Sequence, residues 1–163
     1  MKASLRGGSA ALLVALLASA SVVTPAQAPS TGPHHTVVAA DGIAWKPLRP
    51  GAEIAVVSGD PNKDGSPFVL RMRYHVKSRI PPHWHPTDEH LTILSGTFRL
   101  GTGTSGDESE TTPIGVGGYG FVAAKMPHYG WADANTTIQV HGLGPFAINY
   151  VNPADDPNRA GKQ

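Results

Sequence analysis

Between residues 68 and 77 apolar and polar side chains alternate one for one. Phe68, Leu70, Met72, Tyr74 and Val76 fall on one face, and Val69, Arg71, Arg73, His75 and Lys77 on the other. A period of two is that of a strand with one face in a core. Shorter segments of the same kind cover 53–57, 89–94, 97–100, 119–124, 136–141 and 146–151, each bounded by Gly, Pro, Asp or Asn. The run Gly59–Pro67, the polar stretch 101–110 and the segment 125–130 read as loops and turns, and Pro81-Pro82 reads as the stop of the 68–77 strand. After residue 42 no segment keeps a 3.6-residue period for three turns. Short strands at close spacing predict an all-β sandwich or barrel.

The N-terminus follows another pattern. Lys2 and Arg6 precede the apolar run Ala10–Ala18, and Ala-x-Ala sites follow at Ala18–Ala20 and Ala26–Ala28. This reads as a secretory signal peptide over 1–28. The apolar run is too short for a membrane span, which needs about 20 residues. Removal of Lys2 and Arg6 with no acid takes the formal net charge from +1 to −1. The mature protein is therefore expected to be periplasmic or secreted, with no membrane contact after cleavage. Residues 29–42 read as a small, polar N-terminal arm, 43–152 as one β domain and 153–163 as a polar tail.

Composition narrows the function. The chain of 163 residues has 19 Gly and 15 Pro, which excludes a helical bundle, and only 15% charged residues, which excludes a highly charged disordered chain. No basic cluster is present for a nucleic-acid backbone. Cysteine is absent, which removes disulfides, thiolate metal sites and a cysteine nucleophile. Of the 8 histidines, His75, His83, His85, His90 and His128 lie between residues 75 and 128.

Candidate chemistry concentrates in Pro81-Pro82-His83-Trp84-His85-Pro86-Thr87-Asp88-Glu89. In extended backbone, side chains two apart share a face, with Cα atoms roughly 6.5–7 Å apart. The flanking prolines favour that geometry. His83 and His85 can thus aim at one ion, and Glu89 can bring a carboxylate after a short bend. His128, in the segment read as a turn, is the candidate fourth donor. Three imidazoles and a carboxylate suit Fe, Mn, Ni, Cu or Zn, and leave positions open on an ion that prefers six. His90 follows Glu89, so parity turns it to the opposite face.

The run His83-x-His85-x3-Glu89-x6-Gly96 resembles the first motif of the cupin superfamily, and Gly117 to His128 resembles the second. The resemblance spans about residues 40–152. It implies a double-stranded β-helix, the jelly-roll barrel, with one divalent metal held by His83, His85, Glu89 and His128. Lys77 and Lys125 stand where the motifs usually carry Gly, Ala123 where the second carries Pro, and Ala132 where an Asn often closes it.

The resulting expectation is an exported metal-binding cupin acting as a dioxygenase-type oxidoreductase on a small organic molecule. Glu89 would double as a catalytic base. The alternative is a metal- or small-molecule-binding protein without turnover, and the superfamily also contains isomerases and decarboxylases. Arg71, Arg73, Gln139 and His141 are the polar candidates for a substrate pocket, and Tyr129, Trp131 and Phe146 the apolar ones. His141 reads equally well as a pocket acid/base or as a hydrogen-bonded core residue. Open sheet edges and the arm suggest a homodimer.

Overall fold

The computed structural model describes residues 35–159. The signal peptide expected over 1–28, the first part of the expected arm and residues 160–163 lie outside the described residues. Among the described residues, eleven strands make two antiparallel sheets. The first sheet is ordered β1 (Lys46–Arg49), β2 (Ala52–Gly59), β3 (Pro67–Tyr74), β10 (Thr136–Leu143), β5 (Glu89–Ser95) and β8 (Tyr119–Val122). The second is ordered β11 (Asn149–Tyr150), β4 (Arg79–Trp84), β9 (His128–Ala132), β6 (Phe98–Thr102) and β7 (Thr112–Ile114). Among the described residues, helical structure is limited to three short 3-10 turns. No described helix is long and apolar enough to cross a membrane.

The alternation in β3 buries Phe68, Leu70, Met72 and Tyr74. They meet Leu91 and Ile93 of β5, Ile138 and Val140 of β10, and Ile80, Phe98 and Ala132 of the second sheet. Fully burying a side chain such as Leu91 stabilises by about 1.5–3 kcal/mol. Val76 leaves the pattern: β3 ends at Tyr74, and Val76 is exposed.

Two sequence expectations are corrected here. Pro81 and Pro82 do not close the preceding strand; they lie within β4. They are tolerated because the β4–β9 pairing is irregular between Ile80 and His83, where no ladder hydrogen bond is asked of their missing N–H groups. Residues 128–132 are a strand rather than the continuation of a turn. Gly130 there lies against the Phe98 ring, a close approach that a side chain would block.

The four turn positions at which the resemblance expects glycine all take a left-handed backbone. Gly96 and Gly117 have φ of 75° and 79°, and Lys77 and Lys125 have φ of 63° and 62°. The turns are thus kept where the residue type is not. A lysine in this region carries a steric cost of roughly 1–2 kcal/mol, partly offset by its smaller unfolded-state freedom relative to glycine. Lys77→Gly and Lys125→Gly are each expected to stabilise the protein by about 1 kcal/mol, read by chemical denaturation. Unchanged or lower stability in both would contradict this reading of the turns.

Candidate metal centre

The second sheet and the β4–β5 link bring the site together. His83 of β4 pairs directly with His128, the first residue of β9. His85 follows β4 by one residue, and Glu89 opens β5 in the other sheet. All four side chains are buried, at 3–6% exposure. The ring centroids of His83 and His128 lie 4.2 Å apart, those of His83 and His85 4.9 Å, and those of His85 and His128 5.1 Å. One ligand nitrogen from each imidazole lies within 4.8 Å of the others. Glu89 Oε2 is 3.2 Å from His128 Nε2 and 3.7 Å from His85 Nε2.

Backbone carbonyls set the tautomers. The Nδ1 atoms of His83, His85 and His128 lie 2.7, 2.8 and 3.0 Å from the carbonyls of Pro81, Ala147 and Met126. A carbonyl only accepts, so each Nδ1–H donates and each Nε2 is turned toward the centre. The His128 Nε2 to Glu89 Oε2 contact then needs a proton or a cation between two acceptors. A divalent ion held among these donors would satisfy that need. The donor set fits a transition ion.

Burial lowers the His83 pKa to about 3, helped by positive charge at His128 and His85. Burial is also the main cause that lowers His85. Burial alone would raise Glu89, but bonding to His128 and the field of the three imidazoles outweigh it and hold its carboxyl below the ordinary range. The sign for the metal-free protein follows. His83 is neutral in both states above its ordinary value of about 6.5. Below that value the unfolded chain takes up a proton that the folded chain refuses. Stability is expected to be fullest above about pH 6.5 and to fall toward pH 3, on the order of 1 kcal/mol per pH unit. Urea unfolding of metal-free protein between pH 7.5 and 5 checks this; stability that rises on acidification would contradict it.

The ChrR cupin-like domain family matches residues 33–147, well over half of the chain. The chain belongs to this family. No curated protein matches it. Solved cupin folds are similar to it. One is the polyketide cyclase RemF of Streptomyces resistomycificus, with a TM-score of 0.61 and 16% identity, covering 79% of this chain and 94% of that one. Another is an RmlC-like cupin of Shewanella frigidimarina, at 0.54 and 9%, covering 76% and 96%. A third is the salicylate 1,2-dioxygenase of Pseudoaminobacter salicylatoxidans, solved with gentisate, at 0.51 and 13%, covering 61% of this chain and 26% of that one.

In this cupin a cavity adjoins the four candidate ligands. Its inner room is about 30 Å³, inside a concavity of about 500 Å³ that includes its open mouth. The inner room suffices for roughly two waters. Of the pocket candidates read from sequence, Phe146 and Tyr129 border it. Phe146 stacks on the His85 ring at 4.3 Å. The Tyr129 hydroxyl is turned away and donates to the Asp107 carbonyl at 3.0 Å.

The remaining candidates do not border the cavity. Leu70, Met72, Ile138 and Val140 occupy the inner face of β3 and β10, so parity sends Arg71, Arg73, Gln139 and His141 to the outer face. There Arg71 donates to Gln139 at 3.2 Å, and Arg73 pairs with Glu53 at 2.5 Å and lies over Trp45. His141 is exposed and stacks on His90, with ring centroids 5.0 Å apart. Trp131 sits half-buried beneath Arg79. Sequence reading missed Arg49 and Tyr150, which do border the cavity. Tyr150 shares strand parity with Phe146, so a signal was present. Arg49, in the short segment before Pro50, had none.

Proposed function

We propose that His83, His85, Glu89 and His128 hold one divalent transition-metal ion, and that the loaded centre performs oxygen chemistry on a small organic molecule. The supporting observation is the set of three Nε2 atoms and one carboxylate aimed at a buried point beside an apolar-walled cavity. Four protein donors on an ion that prefers six leave room for exogenous ligands. The bound ion would supply Lewis-acid and redox chemistry. The chain's own residues do the rest. The carbonyls of Pro81, Ala147 and Met126 fix the imidazoles. Leu91, Ile138 and Phe146 keep bulk water out. Glu89 Oε2, beside His128, would be the group placed to accept a substrate proton. The similarity in fold to a dioxygenase solved with gentisate agrees with a small organic substrate.

The test is elemental analysis of protein purified without added metal, followed by O₂ uptake with catechols, dicarbonyls and hydroxy acids in the Fe, Mn, Ni, Cu and Zn forms. A redox metal near one per chain, with O₂ uptake that fails in the zinc form, is the expected result. Turnover without O₂ would point to isomerase or decarboxylase chemistry. Binding without turnover in every form would favour the second reading, a binding module, which the narrow inner cavity also supports. The protein is further proposed to be exported, with its mature N-terminus between Ser21 and Pro29, and to assemble as a homodimer. N-terminal sequencing that finds Met1 intact, or light scattering that gives a monomer mass, would refute these two points respectively.

A further inference from the structure

One charged group beside the cavity has no role in the metal centre. Arg49 ends β1, the four-residue edge strand of the first sheet, at an irregularity in its pairing with β2. It is half-buried and borders the same cavity as the three imidazoles and Glu89. Among the described residues, no other lysine or arginine lines that cavity. Among the described residues, the ion pairs of arginine are Arg73 with Glu53 and Arg99 with Asp133; none occupies Arg49. The Arg49 side chain reaches that of Tyr150 in β11, the edge strand of the second sheet, paired with His83. The positive charge of Arg49 acts on the Tyr74 and Tyr150 phenols, both of which burial pushes up.

A partly desolvated guanidinium without a carboxylate is an anion site, because it presents a planar fork matched to two oxygens. A divalent ion with one carboxylate ligand keeps a charge of +1, and Arg49 adds another in the same cavity. Between them the walls are apolar, with Met72, Leu100 and Ile148 among the lining residues. We propose that Arg49 is a specificity-determining residue that binds a substrate carboxylate, so that the substrates are small organic acids carrying a further pair of oxygens for the metal. The metal end of this inference rests on the proposed function; the carboxylate end rests on Arg49 alone. Arg49 and Tyr150 stand on edge strands, and a molecule larger than the inner room would enter only by displacing their side chains.

Two probes with the same chelating oxygens separate the ends: 2,4-dioxopentanoate and pentane-2,4-dione, which lacks the carboxylate. The full chain loaded with zinc is titrated with each by calorimetry. In parallel, the ¹⁵N signal of the Arg49 Nε–H group is followed by NMR. The acid is expected to bind at least about tenfold more tightly than the dione, and only the acid should shift the Arg49 signal. Arg49→Met should lose that advantage while dione affinity stays within about twofold, and Arg49→Lys should restore part of it. Equal binding of both probes by the unaltered protein would overturn the proposal. So would an Arg49→Met variant that weakens both probes alike at unchanged zinc content. Should zinc not load, the metal reading fails by itself. The Arg49 signal of metal-free protein titrated with butyrate then decides the carboxylate end: a saturable shift sustains it, and no shift overturns it.

Discussion

Replacing His128 with alanine is expected to empty the centre, taking metal content from about one ion per chain to near zero, while His90→Ala leaves it unchanged. The contrast is sharp because both are histidines on strands beside the same site. His128 is buried and carries its Nε2 to within 3.2 Å of Glu89 Oε2, with its other nitrogen committed to the Met126 carbonyl. His90 follows Glu89, so strand parity turns it outward, where its Nδ1 meets the Tyr119 hydroxyl at 2.6 Å. Four-ligand sites bind their ions with roughly 10–16 kcal/mol, so loss of one of four donors costs about hundredfold or more in affinity. Competition with a chelator measures the loss, and elemental analysis confirms it. Equal losses in the two variants would make His90 a ligand and the parity argument wrong.

Gly96→Ala is expected to destabilise the protein by about 2–4 kcal/mol, from left-handed strain and overpacking together. Gly96 has a φ of 75°, and a Cβ there would lie 2.6 Å from the Asn135 carbonyl oxygen and 2.9 Å from Thr136 Cα. Both atoms are backbone, so the neighbour cannot give way by a side-chain rotation. Thr136 is itself held, buried, by donating to the Thr97 carbonyl at 3.0 Å. The strand β5 that leads into Gly96 begins at Glu89, so the loss extends to the candidate centre. Denaturant unfolding reads the effect. A change below about 0.5 kcal/mol, the range of an ordinary surface substitution, would contradict this view of the turn.

Much of the fold was legible because one face of each long strand is apolar. β3 and β10 announce themselves by alternation, and that alternation sends Arg71, Arg73, Gln139 and His141 away from the cavity. The placement of these four as pocket candidates followed their chemistry against their parity. β4 was not legible: its prolines contradict a strand unless the irregular pairing with β9 is already known. β9 was hidden for a similar reason, since Pro127 and Gly130 look like turn residues and Gly130 is small because the Phe98 ring lies against it. The candidate ligands were legible as a motif, and Lys77 and Lys125 concealed turns whose backbone the structure nevertheless keeps. Arg49 was out of reach, because which end of a four-residue edge strand meets the cavity is decided by packing between sheets.

The central claim is that one ion sits among four named side chains. Anomalous diffraction from crystals of the metal-loaded protein, recorded on both sides of the metal's absorption edge, tests it most directly. The account predicts a single strong peak within about 2.0–2.3 Å of Nε2 of His83, His85 and His128 and of a Glu89 carboxylate oxygen. A peak elsewhere on the chain, or none among these four residues at full metal loading, would contradict it.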